Sequence, residues 1–215
     1  MKWIAHSPPP RVKPNIAYRW AKNEAAQREL AYTIVAVDWK SELARAVDQE
    51  DEAALRRAAL TGAARTIRFL CGRLSTADDG AKSKAVRSLG VVIGERGAVS
   101  DDRARELLRR LFWSLNDESG TVPFGMPEAI GEVLAVRVEL QAEFLPILCS
   151  LAYHPERLQT GQIERGVFWA LGRIGLASAR CSPEAAKRLL WAARRHSDPE
   201  SRKVAAWALS QFGEP

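Results

Sequence analysis

"DPESRKVAAWALSQFG", residues 198–213, decides how this chain is read. Asp198 is a good helix cap and Pro199 suits the first helical position. Small and apolar residues then recur at helical spacing until Gly213 closes the run. The same frame appears three times upstream, in "AKSKAVRSLGVVIG" from Ala81, "GMPEAIGEVL" from Gly125 and "ERGVFWALGRIG" from Glu164. Alignment puts Leu89, Ile130, Leu171 and Leu209 in one column, at separations of 41, 41 and 38 residues. The column before it holds Ser88, Ala129, Ala170 and Ala208, and the column after it Gly90, Gly131, Gly172 and Ser210, all small. Three residues further on stand Val92, Val133, Ile174 and Phe212.

Large apolar residues three apart share one helix face and point to a core. Small neighbours let adjacent helices approach closely. Before each such helix lies another amphipathic segment: "DDRARELLRRLFWSLN" from Asp101, "QAEFLPILCSLAYH" from Gln141 and "SPEAAKRLLWAARRH" from Ser182. Ser100 or Asp101, and Ser182, are natural caps, with Pro183 behind the second. The unit is a helix pair of about 40 residues, the size of a HEAT or armadillo repeat. No alternating strand pattern and no Asn-Gly hairpin competes with it.

The final copy, Asp198-Pro199-Glu200-x-Arg202-x-x-Ala205-x-x-Ala208-Leu209-x-x-Phe212-Gly213, resembles the HEAT-like repeat of phycobilisome-lyase-type proteins, and the 164–175 helix matches it in part. The resemblance covers roughly residues 75–215. It implies an all-α, right-handed α-α superhelix, a HEAT-like repeat solenoid. It also implies that the Asp-Pro turn caps the second helix and that Arg202 braces the neighbouring repeat. Residues 23–74 give further helices, over Glu24–Val35, Asp38–Gln49 and Asp51–Leu74. Residues 1–22, with Pro8, Pro9, Pro10 and Pro14, read as an extended basic arm, so the expected division is an arm over 1–22 and a repeat domain over 23–215.

Composition narrows the class. The hydrophobic fraction is 47% and the charged fraction 27%, ordinary for a water-soluble chain. No apolar run reaches the ~20 residues of a membrane span, and "MKWIAHSPPPRVKP" lacks the apolar core of a signal peptide. Cys71, Cys149 and Cys181, odd in number and widely spaced, argue for buried thiols in a reducing compartment; the expected location is cytoplasmic. The net charge of +6 is banded: residues 117–164 alone carry −6. A nucleic-acid binder would more simply present one continuous basic face.

In a stack of repeats, turns of equivalent position share an edge. The stretches 116–126 and 155–166 are longer than their counterparts, which predicts a local ledge bearing Asp117, Glu118 and Phe124. The competing reading is a structural turn in which Gly120 and Gly125 supply positive φ and Phe124 staples the next helix. Two residues before the Leu column stand Glu128, Trp169 and Trp207: a partner-binding row, or packing between repeats. Glu132 and Arg173 share the column two after it and pair across the inner surface, the plainer reading being an exposed ion pair worth ~0–1 kcal/mol.

His6, His154 and His196 lack metal-ligand spacing, and no phosphate loop, nucleophile elbow or dinucleotide fingerprint appears, so neither metal nor cofactor is expected. A Ser119–His154 pair across adjacent turns is the one nucleophile–base arrangement to weigh. The leading expectation is a non-enzymatic scaffold that binds a protein partner, itself basic, through its concave face and the enlarged turns. One alternative is nucleic-acid binding through Arg65, Arg68, Arg73, Lys82, Lys84 and Arg87, in the manner of alkylpurine DNA glycosylases built from HEAT-like repeats. The other is a lyase or chaperone-like subunit acting on a tetrapyrrole or modified protein, which the repeat resemblance suggests.

Overall fold

The structure is a computed structural model that describes residues 39–115, 124–154, 158 and 161–213. The chain divides into two compact units, Met1–Glu42 and Leu43–Pro215. Of the first, only the opening turn of a helix over 39–48 (α1) is described, so the expected arm and its boundary at residue 22 lie outside the described residues. The helix expected over Glu24–Val35 lies there too.

Among the described residues every regular element is a helix and none is a strand. After α1 come α2 (Glu52–Arg73), α3 (Asp79–Gly94), α4 (Asp101–Ser114) and α5 (Met126–Val136). A 3-10 turn over Val138–Leu140 leads into α6 (Gln141–Tyr153). The chain closes with α7 (Gly161–Ile174), the short α8 (Leu176–Cys181), α9 (Pro183–Arg195) and α10 (Pro199–Ser210).

Capping follows the sequence. The Asp78 carboxylate accepts from the N–H groups of Gly80 and Ala81, and Asp198 from those of Glu200 and Ser201. Ser100 and Ser182 cap α4 and α9 in the same way. Such a cap removes one orphan donor and stabilises a helix by about 0.5–2 kcal/mol. Gly94 and Gly97 do not close α3 with a left-handed residue; Glu95 follows the helix in an extended conformation.

Helices pack in pairs, α2 on α3, α4 on α5, α6 on α7 and α9 on α10. The second members also pack on one another in order, α3 on α5, α5 on α7 and α7 on α10. The small-residue columns explain this. A Cβ placed on Gly131 would lie 2.6 Å from the Cα of Ala170, and one on Gly172 would lie 2.7 Å from the Cα of Ala208. Backbones therefore meet where the sequence provides glycine against alanine. Leu89, Ile130 and Leu171 are fully buried beneath these contacts. Leu209 is half-buried: α10 rests on α7 and α9, and no described helix follows it.

Arg137 is the buried surprise. At 1% exposure it donates from Nε to the carbonyl of Ile93 (2.8 Å), from Nη1 to Asp101 Oδ1 (2.9 Å) and from Nη2 to the carbonyl of Val99 (2.5 Å). One side chain thus holds the end of α3, the loop after it and the first turn of α4. Arg202 acts more locally than the repeat resemblance implies. It donates to the carbonyls of His196 and Ser197, just ahead of its own helix.

Candidate functional site

The sequence places Arg87, Glu128, Trp169 and Trp207 in one column, and the fold turns that column into a surface. A cavity of about 440 Å³ opens between α3, α5, α7 and α10. Asp79, Lys82 and Arg87 line it from α3, Glu128 from α5, Arg165 and Trp169 from α7, and Glu200 and Val204 from α10. Its volume falls in the ~300–1,000 Å³ range of ligand sites. Trp169 stacks on Trp207, ring centroids 6.0 Å apart and 18° from parallel. Trp207 also lies over Gly172, where a Cβ would meet its ring at 2.7 Å.

Two carboxylates one helical turn apart on α5 behave differently. Each packs on a glycine of a neighbouring second helix. A Cβ on Gly90 would meet Glu132 Oε2 at 2.8 Å, and one on Gly166 would meet Glu128 Oε2 at 2.6 Å. Glu132 is then satisfied, because Arg173 Nε donates to its Oε1 at 3.0 Å. This pair is not the fully exposed one expected: Glu132 is buried and only Arg173 reaches solvent. Glu128 Oε2 is buried as well but has no hydrogen-bond partner among the described residues. Burial pushes the Glu128 carboxyl up to about 7, against the pull of its own backbone N–H, Lys82 and Arg165. A buried carboxylate is expensive unless paired, which makes Glu128 the candidate site residue of this face.

The cations around it are engaged. Lys82 Nζ is 2.5 Å from Asp79 Oδ1, and that hydrogen bond holds the Asp79 carboxyl below its ordinary value. Arg87 donates to Glu50 at 2.6 Å, and Arg165 lies 3.9 Å from Asp198. Glu200 faces Lys203 at 2.7 Å.

The basic patch expected from Arg65, Arg68, Arg73, Lys82, Lys84 and Arg87 is not one face. Arg65 folds back over Gly62. Arg68 lines a separate cavity of about 390 Å³ with Cys71, Arg103 and Arg110. Arg73 lies 3.6 Å from Asp48, and Lys84 donates to the Asp48 carbonyl at 2.7 Å. The six cations come from two different helices, and Asp48 and Glu50, near the end of α1, take up Arg73 and Arg87.

Asp117, Glu118 and Ser119 lie outside the described residues, as do the rest of 116–123 in the first enlarged turn and 155–157, 159 and 160 in the second. Residues 161–166 are the first turns of α7 rather than loop, so the second turn is shorter than expected. Phe124 is 38% exposed. Gly125 has φ of −88° rather than a positive value. It is small because its N–H donates to the Leu74 carbonyl and a Cβ would crowd that oxygen and Lys82. The Ser119–His154 pair cannot be placed, and His154 packs on Tyr153.

Sequence reading missed Glu164 and His196. Glu164 is buried and accepts from Arg188 Nη2 (2.6 Å) and from His196 Nε2 (3.1 Å). The Asp198 N–H donates to His196 Nδ1, which leaves Nε2 as the N–H facing Glu164. This network ties α7, α9 and the cap of α10 together. No spacing announces it, since its members come from three helices. Searched against protein-family models and curated proteins, the chain matches none.

Proposed function

We propose that the chain is a right-handed solenoid of HEAT-like helix pairs that binds a protein partner on the face of its second helices, without catalysing a reaction. The observation that carries this reading is the stacked, half-exposed Trp169–Trp207 pair beside a cavity whose floor holds an unpaired carboxylate. Trp pairs of this kind anchor interfaces, because a large rigid ring loses little entropy on binding. Binding at a concave row of second helices suits an array of this type. Nucleic-acid binding is supported less, because the expected cations diverge and several are neutralised by nearby acids. Action as a lyase or chaperone-like subunit rests on the repeat resemblance alone. The enlarged turns contribute Phe124, which is exposed enough to touch a partner at the rim.

Site-specific photo-crosslinking tests the reading. A benzophenone amino acid placed at Trp207 is expected to trap one discrete protein in cells of the native host. The same probe at Ile147, an exposed residue of α6, is expected to trap none. Equal trapping at both positions, or trapping of nucleic acid at Trp207, would overturn it.

A further inference from the structure

Which group of a partner the cavity receives follows from what its walls leave unmet. The cations lining it already face carboxylates: Lys82 faces Asp79, Arg87 faces Glu50 and Arg165 faces Asp198. An anionic ligand would have to displace those partners. Glu200 is engaged as well, with Lys203. Glu128 differs: the residue lines the cavity, and its Oε2, tucked against Gly166, has no donor among the described residues. The vacancy in the hydrogen-bonding pattern is therefore for a donor. The same cavity has apolar lining from Val86, Val204 and the Trp169 ring. A carboxylate floor under apolar walls fits a long side chain that is aliphatic along its stem and cationic at its tip. The Trp169 ring adds a face on which a cation is attracted.

Lysine fits better than arginine. A guanidinium is a fork that seeks two parallel acceptors, whereas an ammonium is a point donor. Glu128 presents one unpaired oxygen, and the other carboxylates lining the cavity, Asp79 and Glu200, are engaged with lysines of their own helices. We propose that this cavity is a receptor for a lysine side chain of the protein partner, with Glu128 accepting from the ammonium and Val86, Val204 and Trp169 enclosing the stem. The proposal rests on the protein-binding reading above. It names the contact that selects the partner, a basic residue presented on an exposed segment.

The test uses the full chain and short probes. Acetyl-Ala-X-Ala-amide peptides, with X as lysine, norleucine or arginine, are titrated at pH 8 while the indole N–H signals are followed by NMR. The Trp169→Phe variant identifies the Trp169 signal. The lysine peptide is expected to shift that signal saturably and at least tenfold more tightly than the norleucine peptide. Glu128→Gln, which keeps shape and removes charge, is expected to weaken lysine binding at least tenfold, the size of one lost charge-assisted hydrogen bond. Butylamine, the free amine without a peptide, should bind at least tenfold more weakly than the lysine peptide; equal binding would make this a small-amine site and overturn the partner assignment. Tighter binding of the arginine peptide, a Trp169 shift with inorganic phosphate, or an unchanged affinity in Glu128→Gln would each overturn the lysine receptor. A failed peptide titration alongside crosslinking that still succeeds at Trp207 would remove the receptor and leave the binding face standing.

Discussion

Replacing Glu128 with glutamine should stabilise the protein, and only at the pH where the carboxyl would be ionised. Glu128 titrates near 7 in the fold, and an unconstrained glutamate near 4.5. Because the folded value is the higher one, the group's contribution to stability is fully present below about 4.5 and lost as pH rises through about 7. With ~1.4 kcal/mol for each tenfold in proton affinity, the full loss is about 3 kcal/mol. Partial solvent access to the side chain reduces this to about 1–3 kcal/mol. Asp79, Lys82, Arg87, Arg165 and Glu200 surround the cavity in both proteins, so their titrations largely cancel in the comparison. The assay is urea unfolding of wild type and Glu128→Gln from pH 4 to pH 8.5. The variant should gain about 1–3 kcal/mol over wild type between the two ends, with the change centred between pH 4.5 and 7. A difference that is flat with pH, or a wild type that gains on the variant as pH rises, would refute the claim that this carboxyl is buried without a partner.

Other expectations follow from the packing. Gly131→Ala should destabilise by about 1–3 kcal/mol through overpacking against Ala170, although alanine is the better helix former by ~1 kcal/mol. Gly72→Ala, where a Cβ meets nothing within 4 Å, should be neutral or stabilising by up to ~1 kcal/mol, and thermal melts of the two would separate close approach from propensity. Arg137→Met should cost about 3–5 kcal/mol, because two buried carbonyls and Asp101 lose their donor; at ~2–4 °C per kcal/mol for a chain of this size, the melting point falls by about 6–20 °C. Iodoacetamide at pH 8 should label exposed Cys181 first and reach Cys149 only on unfolding, since burial and the neighbouring Cys181 push the Cys149 thiol up to about 12; mass spectrometry of timed samples checks the order.

Helix pairing was legible because it depends on local period and on small residues at fixed offsets. Gly131 opposite Ala170 and Gly172 opposite Ala208 are visible in the sequence as adjacent small columns, once the 41- and 38-residue offsets are found. Half the candidate site was legible for the same reason: Arg87, Glu128 and Trp169 share a column, so a stack of equivalent helices brings them to one surface. Arg165, one helical turn before Trp169, lies on the same face, and Lys82 stands five residues before Arg87; neither falls in the repeat column itself. Glu164 with His196 was invisible because the pairing depends on how α9 crosses α7. Arg137 did leave a trace. It follows the apolar stretch 133–136, with valine four residues before and glutamine four after, so it has no charged partner one helical turn away. The basic patch misled because its six charges sit on two helices, and acids far off in the sequence, Asp48 and Glu50, take up Arg73 and Arg87.

The proposed binding face is tested most directly by the affinity of the crosslinked partner, measured by calorimetry against the wild type and three single variants. Trp207→Ala and Trp169→Ala should each weaken binding by about 30-fold or more, the effect of losing a ~2 kcal/mol anchor. Ile147→Ala, on α6 and 47% exposed, should leave the affinity within about twofold, as surface residues outside an interface do. Affinities unchanged by both tryptophan substitutions in proteins that remain folded, with binding lost in Ile147→Ala, would contradict the account.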